Sequence, residues 1–200
     1  MSTPLTIEDI VDQRAYERER DEFRRHVIDL KRRRRIGVGP FVTLVFENRD
    51  TIRFQIQEMA RAEKIITDEG IQTELDVYNP LIPAAGQVSA TLFVELTDEA
   101  QLREWLPKLV GIETEVELRL GPDGGRRVRC TVDEDHLRQL TRDEITASVH
   151  YVRFELDPDE VDAFASGPVV LALTHPAYAH EVVLGEDSRA ELLADLRGET

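Results

Sequence analysis

The chain reads as an α+β domain, with a helical N-terminal part packed on a mainly antiparallel sheet of five or six strands. Three observations predict this. Apolar residues up to residue 78 recur at helical spacing with charge between them, whereas later runs alternate and are rich in Val, Leu, Thr and aromatics. GPDGG, between Leu120 and Arg126, is a hairpin signal that joins neighbouring strands antiparallel. No glycine-rich loop leads from a strand into a helix, so neither a nucleotide-binding α/β fold nor a nucleotide site is expected.

Thr6, with Asp9 three residues on, resembles a helix start, and Ile7, Ile10 and Val11 supply a short apolar turn. Residues 14–33 form a charged helix whose apolar stripe, Tyr16, Phe23, Val27 and Leu30, spans only about 40° of the helical wheel. A face packed into a broad core is usually wider. The stripe therefore suits a surface or a second copy of the chain in coiled-coil fashion. Residues 1–36 accordingly read as a docking or dimerisation arm, a homodimer being the simplest assembly, ahead of a single α+β domain over 37–200.

Gly37, Gly39 and Pro40 end the arm, and the strand FVTLVFE follows. After a turn at 48–50, Asp50 or Thr51 is placed to cap a helix over 51–66. A second helix, 68–78, is stopped by NPLIP. Strands then fall at VSATLFVEL, TEVELRL, RRVRCTV, SVHYVRFEL, PVVLALTH and HEVVL. Helical pieces interrupt them at 98–109, 133–140, 158–165 and 188–197.

A net charge of −15 opposes general nucleic-acid binding, so nucleic acid is not the expected partner. Cys130 is the only cysteine, which excludes an internal disulfide and leaves no iron–sulfur cluster expected. It shares a strand face with Val128 and Val132 and reads as a small buried hydrophobe. The chain has no apolar run near ~18 residues and no signal-peptide core, so it is expected in the cytoplasm without membrane insertion.

The helix 51–66 holds the residues with most chemical interest. Ile52, Ile56, Met59 and Ile66 share one arc, with Glu63 in its middle and Gln55 at its rim. Phe54 and Ile65 form an opposite strip, with Glu58 beside them. A buried carboxylate is costly without a partner. Glu63 is thus expected to pair with an arginine of the sheet such as Arg153, or to act as a metal ligand or general base. Alternation in SVHYVRFEL places His150 on the apolar face with Val152, Phe154 and Leu156, as a satisfied core histidine or as a ligand or acid–base group. The spacing of HPAYAH lets His175 and His180 enter one pocket, though it matches no zinc motif. Asp133, Glu134 and Asp135 read as the cap and first turn of a short helix, with a divalent cation as the alternative.

Two functions stay open ahead of a third, a nucleic-acid-binding regulator using the basic run 31–35. In the first, an accessory protein docks on partner proteins through Tyr16, Phe23, Val27 and Leu30 and the basic run Arg32, Arg33, Arg34 and Arg35. In the second, a metal-dependent or acid–base enzyme has its pocket between the central helix and the sheet. Glu63 and His150 are then the catalytic groups, and Glu63, His150 and His175 the ligands of a divalent metal.

The run FENRDTIRFQIQEMARAEKI, followed by IQTELDVYNPLIP, SATLFVEL, VGIETEVEL, TVDEDH, TASVHYVRFEL and THPAY, resembles an uncharacterised bacterial domain-of-unknown-function family, DUF3501. The resemblance covers nearly the whole chain. Family members are often encoded beside a rubrerythrin and an iron–sulfur oxidoreductase. The resemblance thus implies a role near peroxide detoxification or electron transfer, with those two proteins as expected partners. The family has no established catalytic residues, so none is carried over.

Overall fold

In a computed structural model the chain is described over residues 3–121, 125–132 and 145–199. Its elements are α1 (Gln13–Arg34), β1 (Arg35–Val38), β2 (Val42–Phe46), α2 (Arg49–Glu63), α3 (Asp68–Tyr78), β3 (Gln87–Val94) and α4 (Glu99–Trp105). There follow β4 (Val116–Leu120), β5 (Arg126–Arg129), β6 (Val149–Glu155), α5 (Pro158–Ser166), β7 (Val169–His175), β8 (Tyr178–Val183) and α6 (Glu186–Arg197). The helix expected over 133–140, with Asp133, Glu134, Asp135 and His136, lies outside the described residues.

The α+β class and the antiparallel pairing are as the sequence predicts. The strands, however, form two four-stranded sheets, β1-β2-β3-β6 and β5-β4-β7-β8, instead of one sheet of five or six. The sheets face each other across one core, to which Leu44, Phe46, Leu92 and Phe154 contribute from the first and Leu118, Leu171 and Leu173 from the second. They also meet at their margins. A backbone bridge, Thr131↔Arg153, carries the chain just beyond β5 onto β6. On the opposite side the Tyr178 hydroxyl donates to the Val38 carbonyl (2.8 Å) and accepts from the backbone N–H groups of Phe41 (3.1 Å) and Val42 (3.2 Å). GPDGG does join a hairpin, since Leu120 pairs with Arg126.

β1 was masked in the sequence by Gly37, Gly39 and Pro40, which read as a break. Gly39 is the turn between β1 and β2: its φ is +75°, and a Cβ there would lie 2.6 Å from the Tyr178 hydroxyl and from the His180 ring. The turn lets Arg35–Val38 fold back on β2, with Val38 opposite Val42.

The first helix is not an arm. α1 packs on α2 and α6, and Tyr16, Val27, Leu30 and Arg34, all expected on a docking face, are buried inside the domain. Their stripe is narrow because two elements distant in sequence close over it. The Tyr16 hydroxyl donates to Glu58 (2.7 Å), and Arg34 grips Asp195 of α6 with both terminal nitrogens (2.5 and 2.9 Å). Phe23 is half-buried, edge-on to Phe54 with ring centroids 5.6 Å apart, and Arg53 lies over its ring. Arg32, Arg33 and Arg35 are exposed and pair with Asp29, Glu191 and Glu95.

Behind the first sheet a second, smaller core forms from Leu5, Ile10, Ile52, Ile56, Leu75 and Leu81. No described helix is long and apolar enough to cross a membrane.

Candidate functional site

The carboxylate expected inside the seam of the central helix is outside it. α2 ends at Glu63, because Lys64 adopts the left-handed conformation (φ 56°) and caps the helix onto the Ala60 carbonyl. Glu63 therefore sits on the last, uncovered turn, exposed to solvent, and Ile66 leaves the helix altogether and is 81% exposed. The helical wheel was right for Ile52 and Ile56, which are buried, and Met59 is half-buried; it failed where the helix stopped. Glu63 faces α3, where burial and then its own charge hold the Glu74 carboxyl above the usual range.

Two other polar groups take the interior position. Gln57 is buried and clasps Val11, accepting from its N–H (2.8 Å) and donating to its carbonyl (3.2 Å), which fixes the segment ahead of α1. Glu47, at the end of β2, is 2% exposed and accepts from the hydroxyls of Thr51 (2.5 Å) on α2 and Thr91 (2.6 Å) on β3. Tyr151 of β6 completes this layer. Burial, reinforced by Tyr78 and Glu47, pushes its hydroxyl pKa up. The space between α2 and the sheet is polar, then, but through Glu47 and Gln57.

Arg153 does not meet Glu63 either. It donates to the Pro80 carbonyl, and its Nε is buried without a hydrogen-bond partner. Beside it a cavity of about 140 Å³ opens on the outer face of β6.

His150 lies on the other face of the sheet. It pairs across β3 with Leu92 and points into the core between the sheets, 1% exposed. Its Nε2 lies 2.9 Å from both the Thr146 hydroxyl and the Ala147 carbonyl, and its Nδ1 is 3.8 Å from the fully buried Glu113 carboxylate. Burial lowers its pKa, more than Glu113 raises it, so the neutral ring is favoured. Cys130 packs against the same core and donates its thiol to the Glu113 carbonyl (3.1 Å); burial pushes it up to about 11, which makes it a poor nucleophile at neutral pH.

His175 is separate again. Its Nε2 lies 3.1 Å from the Val110 carbonyl, and its Nδ1 accepts from the Ala177 N–H (3.2 Å), so both ring nitrogens are engaged by backbone. His180 is exposed against the Tyr178 ring. Glu63, on the helical side of the first sheet, and His150, on its core side, are not brought together. Among the described residues no group of three or more His, Cys, Asp or Glu side chains is placed to hold a metal ion.

Sequence reasoning missed one surface. Opposite its buried stripe, α1 exposes Arg14, Arg18, Asp21, Arg25, Ile28 and Arg32, spaced four and three residues apart along one ridge. The spacing is legible in the sequence, but a charged helix face looks like any solvated one and carries no signal of its own. The helix carries nine Lys or Arg against five Asp or Glu, in a chain with 25 against 40.

Comparison with known proteins agrees with the architecture. A crystal structure of a novel protein of unknown function from Burkholderia pseudomallei is 38% identical and superposes with a TM-score of 0.88, covering 97% of this chain and 100% of that one. No curated protein matches. A family model described as a protein of unknown function, DUF3501, matches residues 4–196, and the chain belongs to that family.

Proposed function

We propose that this chain is a non-catalytic accessory protein of a bacterial redox or peroxide-stress system, docking on an acidic face of a redox partner through the outward ridge of α1. The observation that carries this is the ridge itself. Arg14, Arg18, Arg25 and Arg32, with half-exposed Ile28 and one acid, Asp21, between them, form a net basic strip on a chain whose net charge is −15. Such a strip is attracted to a local acidic patch and gives orientation, since the rest of the molecule repels the same patch. A nucleic acid would meet the acidic remainder as well and gains less. The redox setting rests on the family resemblance, which names rubrerythrin and an iron–sulfur oxidoreductase as partners. The enzyme alternative lacks its assembly, because Glu63, His150 and His175 occupy three separate places.

The test is a binding titration of the purified chain against its own host's rubrerythrin and iron–sulfur oxidoreductase. One of them should bind, and R25E/R32E together, or added salt, should weaken binding about tenfold or more. Binding by neither, or binding indifferent to both changes, overturns the proposal.

A further inference from the structure

The cavity on the outer face of β6 plays no part in docking through α1. Its wall joins Leu81, Ser89, Thr131, Val132, Tyr151 and Arg153, in a volume of about 140 Å³. Most of the polar groups there are already engaged. The Ser89 hydroxyl donates to the Leu81 carbonyl, and the Thr131 backbone exchanges hydrogen bonds with that of Arg153 (2.7 and 2.9 Å). The guanidinium is the exception. Only its contact to the Pro80 carbonyl is made, its Nε is buried without a partner, and among the described residues it enters no ion pair. A half-buried arginine with no counter-ion among the described residues is a group waiting for an acceptor.

The rest of the wall sets the ligand's class. Leu81 and Val132 offer hydrocarbon, so one end of the ligand is anionic and the other apolar. A cavity near 150 Å³ admits a benzene-sized molecule, so this one has room for roughly six non-hydrogen atoms. A phosphate would leave most of its oxygens facing apolar side chains, with a single arginine to serve them. We propose that this cavity binds a short aliphatic monocarboxylate, with its carboxylate on Arg153 and its tail against Leu81 and Val132.

Calorimetric titration with butyrate tests this, with 1-butanol and inorganic phosphate as controls and thermal denaturation as the check on folding. Butyrate should bind with one site per chain, and neither control should. Arg153→Gln should weaken butyrate binding at least tenfold. Val132→Phe, which fills the cavity from its rim and leaves the guanidinium in place, should abolish binding even where Arg153→Gln fails to fold. No butyrate binding up to about 10 mM, tighter binding of phosphate or butanol, or unchanged binding in a folded Val132→Phe variant overturns the assignment. Arg25 and Arg32 take no part in this wall, so the outcome is independent of the docking titration.

Discussion

Arg34 and Asp195, 161 positions apart in sequence, form a doubly hydrogen-bonded ion pair in the interior, with side chains 0% and 2% exposed. Glu191, one turn earlier on α6, adds a third contact to the same guanidinium at 3.2 Å. The pair locks the last turn of α1 onto the C-terminal helix, which is why a sequence run that looks like a basic tail is part of the fold. Removing one partner strands the other charge. Arg34→Ala is expected to lose about 3–5 kcal/mol in urea denaturation, and Glu191→Gln, at a half-buried position, about 1 kcal/mol or less.

Glu63 gives the opposite expectation. It lies exposed on the final turn of α2, so Glu63→Gln should change the unfolding free energy by no more than about 0.5 kcal/mol and leave any metal content unaltered. Denaturation and elemental analysis of the purified variant check both.

The Tyr178 hydroxyl fastens the two sheets along one margin by three backbone contacts. Tyr178→Phe leaves the Val38 carbonyl and two N–H groups without that partner and should cost about 1–3 kcal/mol. Gly39→Ala should be at least as damaging, because it adds a Cβ at positive φ against the same hydroxyl. Thermal melts of the two variants give the comparison.

His150 predicts a pH dependence. Its folded pKa is lowered from 6.5, mainly by burial, so the unfolded chain binds the proton more readily. Its contribution is complete above about pH 6.5 and is lost as the pH falls through the lower folded value. The Ala147 carbonyl can only accept, so Nε2 carries the proton of the neutral ring, and protonation adds one at Nδ1, where Glu113 at 3.8 Å gives partial compensation. Urea midpoints at pH 7.5 and 5.5 should differ more for the wild type than for His150→Gln.

The places where sequence and structure part company have physical causes. Periodicity found the buried side of α2 through Ile52 and Ile56, and alternation placed His150 on the core face of β6. Periodicity does not say where a helix ends, and Lys64 in the left-handed conformation moved Glu63 and Ile66 out of the seam. Nor does it say what covers a stripe. Tyr16, Val27 and Leu30 looked like an exposed line because their covers, α2 and α6, lie far along the chain. Glu47 and Glu113 carry no local signal, since each gains its setting only when β2 and β4 have paired with their neighbours. The split into two sheets is likewise a matter of long-range pairing.

The partition of α1 into a covered stripe and an outward ridge is tested most directly by thiol labelling in a Cys130→Ala background. Leu30→Cys, on the stripe, and Ile28→Cys, at the ridge, would be reacted with the same reagent under native conditions. Labelling at position 30 should be about a hundredfold slower or more than at position 28, since it requires α1 to detach from α2 and α6. Equal rates at the two positions would mean that α1 swings free of the domain, and the inward stripe and outward ridge described above would both be wrong.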